Sequence, residues 1–556
     1  MTLFRRVRSW WPVALVGLIA LVVYAAWPGR STFTVGPETT YITEPLDAEG
    51  NVDYQTALNE RMGRGITPET NANVLIWQAL GPRPEGNTMP PEYFKWLGIE
   101  QPPEEGEYFI DQYKYFDAHL KDRQAGVWDW LFDEQADPQP PDLTGEDYQR
   151  EIGALAERKQ RWYNRVDRAR QWPWTAKDDP DVAAWLKRNE KPLALVVEAS
   201  KRPHYFNPLV SKDPSRQSAR LINAVIPSVQ KCRAVAAALA CRAMSRVGNG
   251  DFNGAWHDLL ACQRLGRLVG HSGTLIESLV GIALAAIGTD GQLILLSHGR
   301  HSSKQLLMWL EDLRALPPFP PMADKMDLCE RFWTLDALMS IACRGARKVD
   351  LLDHPGSPPS EYGFWDRLFT DGIDWDPAFR NVNRTYDRLG TIWRLPDRAA
   401  RTQEFANMVD EVTRAKSAAT NIGFLNRTAL SNGERGEIIA NILIALMLPA
   451  LDKVQNAADR TEQTQGNLHV AFALAAFRAD AGRYPARLDE LAPKYLPRVP
   501  GDLFSGGPLI YRPTETGYLL YSVGVNGLDE DGRWMDDDPR GDDLRVRMPV
   551  AEPAAK

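Results

Sequence analysis

The chain has 556 residues, 44% of them hydrophobic and 25% charged, enough to bury a real core and to form two to four domains of roughly 100–200 residues each. The formal charge is −8, but eight acids and two arginines between Asp529 and Asp543 account for −6 of it and leave −2 for everything else. Acidity is therefore confined to one C-terminal segment; no strongly basic face is implied, and nucleic acid is not an expected partner.

Residues 1–9 carry Arg5, Arg6 and Arg8, and the run from Trp10 to Trp27 that follows has no charged residue. At about 1.5 Å per residue this run spans roughly 27 Å, close to the hydrocarbon thickness of a bilayer. Only Arg30 follows closely, so the positive-inside bias keeps the N-terminus in the cytoplasm and exports the remainder. We expect a transmembrane helix over 10–27, with tryptophans at both ends as interfacial anchors and a polar stalk over 28–55. The competing reading is a cleaved signal peptide with its small-residue site near Val23-Tyr24-Ala25; export follows from either. The expected location is thus the cell membrane, crossed once, with the bulk of the chain on the periplasmic side.

The five cysteines Cys232, Cys241, Cys262, Cys329 and Cys343 are too few for a disulfide framework in so long a chain and read as buried thiols. If Cys232 and Cys241 share a helix, they lie about 13 Å apart on opposite faces and cannot bridge.

Helical patterning dominates 56–460. Thr67-Pro68 reads as a helix start before the stripe Ala72, Leu75, Ile76, Ala79 and Leu80, with Gly81-Pro82 as its stop. Ser302 with Gln305 precedes the stripe Leu306, Trp309, Leu310 and Leu313, and Asp376-Pro377 opens another helix. Proline-rich breaks at Pro82–Pro103, Pro138–Pro141, Pro317–Pro321 and Pro355–Pro359 divide the region, with a subdomain boundary expected near 317–360. The apolar runs Leu275–Gly288 and Ile438–Leu451 are each about 14 residues long and hold Glu277, or Asn441 and Pro449, so they read as buried helices rather than spans.

From Ser215 to Leu316 the pattern is a helical hairpin turning at Gly248-Asn249-Gly250-Asp251. The segment Arg246 to Trp256 resembles the turn and second-helix start of a tetratricopeptide repeat, in which a small residue such as Ala255 admits close helix packing. No second copy occurs at a 34-residue period, so a peptide-binding solenoid is not implied.

Beyond residue 464 a helix leads to Asp480-Ala481-Gly482, followed by Arg483-Tyr484-Pro485, Tyr495-Leu496-Pro497, Val499-Pro500-Gly501-Asp502, Leu509 to Arg512 and Tyr518 to Gly527. This order resembles the C-terminal half of the major pseudopilin of type II secretion systems. The resemblance implies a small α+β module over 464–549, with a helix, a β-hairpin from Leu509 to Val523 and a calcium-binding loop over 526–543, before a tail at 550–556. Calcium ligands would come from Asn526, Asp529, Asp531, Asp542 and Asp543, since the ion takes six to eight oxygens; the alternative is a solvated acidic loop. True pseudopilins carry a Gly-Phe-Thr-Leu-x-Glu type junction directly before the membrane helix. Here it is missing, and more than 400 residues separate the membrane helix from the module, so filament assembly is not implied.

Motifs for catalysis are incomplete. Gly270-His271-Ser272-Gly273 approximates a nucleophile elbow, but position 274 is Thr and no strand pattern precedes it. His257 with Cys262, and His298 with His301, lack the remaining ligands of a metal site. The expected fold is mainly α, and the expected role is that of a membrane-anchored interaction or scaffold protein among other envelope proteins. The alternative is an extracytoplasmic enzyme whose site is assembled from the helices without a local motif.

Overall fold

A computed structural model describes residues 32–553 apart from 85, 87, 121–144, 212–220, 222, 223, 227, 345–371 and 421–430. The expected membrane helix over 10–27 and the proline breaks at 138–141 and 355–359 lie outside the described residues. The fold is mainly helical, with one small three-stranded antiparallel sheet near the C-terminus. The chain divides into two compact units, one from 1–61, 209–225 and 321–452, the other from 62–208, 226–320 and 453–556.

In the first unit, helices Arg331–Arg344 and Asp376–Trp393 bury Phe332, Leu335, Phe379, Val382, Tyr386 and Trp393. Pro377 sits in the first turn of the second helix, as the Asp-Pro pair predicts. The segment expected to be a stalk is folded into this unit from Thr32 onward. Thr32 N donates to Ile373 O (3.1 Å), Asn383 Nδ2 to Thr39 O (2.8 Å) and Tyr54 Oη to Thr40 O (2.7 Å). The segment lacks an apolar period because it is held through its backbone, and such bonds leave little trace in residue type.

The second unit begins with α1 (Ala72–Leu80), which is capped by Asn71 through Asn73 N. Thr67-Pro68 forms a preceding turn, closed by Thr70 N donating to Thr67 O, so the helix starts later than the Thr-Pro pair suggests. Helix α2 (Gly145–Gln171) and α3 (Glu190–Ala199) follow. The predicted hairpin is α4 (Val229–Gly248) and α5 (Phe252–Gly270), with Asp251 Oδ1 accepting from Gly254 N (2.9 Å) at the cap. Helix α6 (Leu275–Ser297) opens with a capping box between Thr274 and Glu277. Helices α5 and α6 pack most closely: a Cβ added to Gly281 would lie 2.4 Å from Gly266 O, a position only glycine can occupy. Helix α6 is long and apolar enough to cross a membrane, yet 56% of its most apolar window is buried. Helix α7 (Ser303–Arg314), capped by Ser302 through Gln305 N, buries Leu306, Trp309, Leu310 and Leu313 as its stripe predicts.

A helix of 50 residues, α8 (Asn432–Ala481), joins the apolar run near 438 to the expected C-terminal helix. Gly482 closes it in the left-handed region at φ +72°, with its N–H on Arg478 O. The predicted hairpin follows as β1 (Ile510–Pro513) and β2 (Tyr518–Ser522). A third strand, β3 (Leu544–Met548), pairs with β2 from Tyr518↔Met548 to Ser522↔Leu544. Tyr518, Leu520, Val546 and Met548 join Phe472, Trp256 and Leu260 in one continuous core. The C-terminal segment is thus part of the second unit's core, because two strands and a third cannot bury a face without a helical partner.

Among the described residues Cys232, Cys241, Cys262 and Cys329 are buried and Cys343 is exposed. Burial pushes the thiols of Cys232 and Cys241 up to about 12, which makes them inert at neutral pH.

Candidate functional site

The acidic loop connects β2 to β3. Its base is fixed by Asp502, which is 3% exposed and accepts from Ser522 Oγ (2.7 Å) and Val523 N (3.1 Å). Asn526 Oδ1 accepts from Leu528 N (2.8 Å), and its N–H donates to Asp542 Oδ2 (3.0 Å). Asp529 Oδ1 accepts from Asp531 N and Tyr521 Oη, both at 2.9 Å; the backbone N–H of Asp531 is the largest influence holding its carboxyl below the usual range. Asp543 Oδ2 accepts from Gly532 N (2.7 Å) and Glu530 N (3.1 Å).

Arginines supply much of the positive charge that the loop requires. Arg460 on α8 pairs with Asp542, Arg512 on β1 with Asp531 (3.0 Å), and Arg545 on β3 with Asp537. The five expected ligands therefore share one loop, but internal bonds occupy most of their oxygens. Among the described residues no group of three or more His, Cys, Asp or Glu side chains is placed to hold a metal ion. One oxygen stands apart: Asp543 is fully buried and its Oδ1 accepts no hydrogen bond. Burial raises its carboxyl above the usual value.

A second polar cluster lies deep between α1, α4 and α6. Trp77 Nε1 donates to Tyr93 Oη (2.8 Å), Tyr93 Oη to Asn207 Oδ1 (2.6 Å), and Asn207 Nδ2 to Glu277 Oε1 (2.9 Å). Glu277 is 1% exposed, and its other oxygen closes the α6 capping box. Tyr205 and Ser228 border the cluster. The Ser228 hydroxyl is near enough to influence that of Tyr205, but neither forms a hydrogen bond of normal geometry. This chain orients buried groups and cross-links elements far apart in sequence, the use expected of a polar network inside a core.

The third feature is a cavity of about 630 Å³ whose lining includes Arg314, His469, Leu496, Pro497, Arg498 and Pro500. Arg314 ends α7, His469 projects from α8, and Arg498 lies in the turn after it. Behind the cavity, Arg267 is only 6% exposed. It donates to Gln465 Oε1 (2.9 Å), its guanidinium lies 4.8 Å from the centre of the Phe319 ring, and its Nε has no partner. Burial lowers the Arg267 pKa to about 10. Burial first, and then Arg267 and Arg314, hold His469 down to about 4, so its imidazole is neutral at pH 7. No local signal in the sequence marks this site, since no spacing links positions 267, 314, 469 and 498.

The remaining sequence candidates are architectural. Ser272 lies in a helix-to-helix turn, with its N–H on Val269 O. His298 Nδ1 meets Ile294 O at 2.8 Å and His301 Nε2 meets His298 O at 2.9 Å, while the His301 ring packs against Phe252 and Trp309. Comparison of the chain with protein-family models, curated proteins and solved structures finds no match.

Proposed function

We propose that the chain is a single-pass membrane protein with a cytoplasmic N-terminus, whose body serves outside the cytoplasm as an interaction or scaffold protein of the cell envelope. The observation that carries this reading is the uncharged run Trp10–Trp27 behind Arg5, Arg6 and Arg8. The proposal that 464–549 is pseudopilin-like continues to rest on the motif order from Asp480 to Gly527. Carbonate extraction of membranes tests the anchor: the intact chain is expected in the pellet. A released mature form beginning near Ala26 would contradict the anchor while leaving export in place.

A second reading concerns calcium, and the unpartnered Oδ1 of Asp543 favours it. A cation there would relieve a buried, donorless oxygen and offset the crowding of acids around it. Because residues 468–548 share their core with α4 and α5, the test requires the full chain rather than the C-terminal fragment. Millimolar calcium is expected to raise the melting temperature by mass action, and Asp543→Asn is expected to remove that rise whatever its own effect on stability. Calorimetry without saturable calcium binding would leave the loop neutralised by its arginines alone.

A further inference from the structure

We infer that the cavity between the end of α7, α8 and the 496–501 turn binds an organic anion, its carboxylate or phosphate head held by Arg314, Arg498 and His469. The short apolar body of the ligand lies against Leu496, Pro497 and Pro500. This goes beyond the proposed envelope role and does not depend on it.

The first argument is charge. Two guanidinium groups and an imidazole from three separate elements line one cavity, and among the described residues no carboxylate lines it with them. Glu311 pairs with Arg314 at 3.7 Å but is 75% exposed and outside the lining, so the pair is screened by solvent and weak. Asp502, next to the lining residue Gly501, is turned toward Ser522 and Val523.

The second argument is Arg267. A guanidinium almost wholly removed from water normally meets a carboxylate, because an unpaired buried charge is costly. Here its partners are amide and backbone oxygens of Gln263 and Gln465, and its Nε has none. The excess positive charge reaches His469, adding to the burial that chiefly lowers its pKa. An anion in the cavity compensates both arginine layers at once and draws the imidazole toward its charged, doubly donating form.

The third argument is size and wall chemistry. About 630 Å³ lies in the range of small-molecule sites rather than of a lone inorganic ion. Leucine and proline side chains form one side of the cavity, and the planar donor forks of Arg314 and Arg498 suit carboxylate or phosphate oxygens.

The test is calorimetric titration of the full chain in a neutral detergent with hexanoate, hexyl phosphate, inorganic phosphate and hexanol. Saturable millimolar or tighter binding of hexanoate or hexyl phosphate is expected, and the tighter of the two identifies the head group. Both should exceed inorganic phosphate and hexanol by at least about tenfold. The double variant Arg314→Ala/Arg498→Ala should weaken binding at least about tenfold with little change in melting temperature, since both side chains are partly exposed. Arg498→Glu alone, at an exposed turn position, should do the same. No saturable binding of either anion, equal binding of hexanol, or unchanged affinity in the folded variants would overturn the assignment.

Discussion

Replacing Trp256 by alanine is expected to destabilise the second unit by about 3–5 kcal/mol, the range for removing a fully buried indole. Trp256 is 1% exposed. Its ring stacks on Trp309 at 5.0 Å and meets Phe472 edge-on at 5.5 Å, so it joins α5 to both α7 and α8. Its Nε1 also donates to Asp312 Oδ2 (2.9 Å). Alanine leaves a cavity bordered by two rings and an acid without its donor; phenylalanine keeps most of the contact and should cost less. Denaturant melts of the full chain check this. A loss within about 0.5 kcal/mol, ordinary for a surface change, would show that the three helices do not meet through this residue.

The second large effect is expected at Asp258. This carboxylate is 1% exposed and accepts from Arg242 at 2.9 and 2.6 Å and from Arg246 at 2.8 Å. Asp258→Ala leaves the Arg242 guanidinium, 16% exposed, without a counter-charge, and the cost of breaking such a pair is about 3–5 kcal/mol. Arg246→Ala should cost much less, because Arg246 is more exposed and Arg242 remains bound. Thermal melts of the two variants should therefore differ clearly, and equal shifts would contradict this division of roles.

Local signals served best where the chain obeys a period or a cap. The α7 stripe, the hairpin turn at 249–251 and the proline-led start of Asp376–Trp393 all follow from side chains that act on their own neighbours. The third strand leaves a weaker trace, the alternation of Leu544, Val546 and Met548 with Arg545 and Arg547 directly after an acidic run. Contacts between distant segments left no such signal. Nothing local in Thr39 or Thr40 reveals bonding to Asn383 or Tyr54, and a long separation divides Arg267 from Gln465. The acidic loop shows the limit most clearly. Its eight acids are local in sequence, whereas Arg460, Arg512 and Arg545, which pair with three of them, are brought to it by a helix and two strands. The basic cavity was hidden for the same reason, since its charges come from separate elements and meet only after folding.

The tethered, exported body is the central claim, and a reporter fused after Lys556 tests it most directly. Alkaline phosphatase, active only where it is exported, should be active in that fusion. A reporter that works only in the cytoplasm should be inactive at the same position. The reverse pair of results would place the body inside the cell and contradict the account.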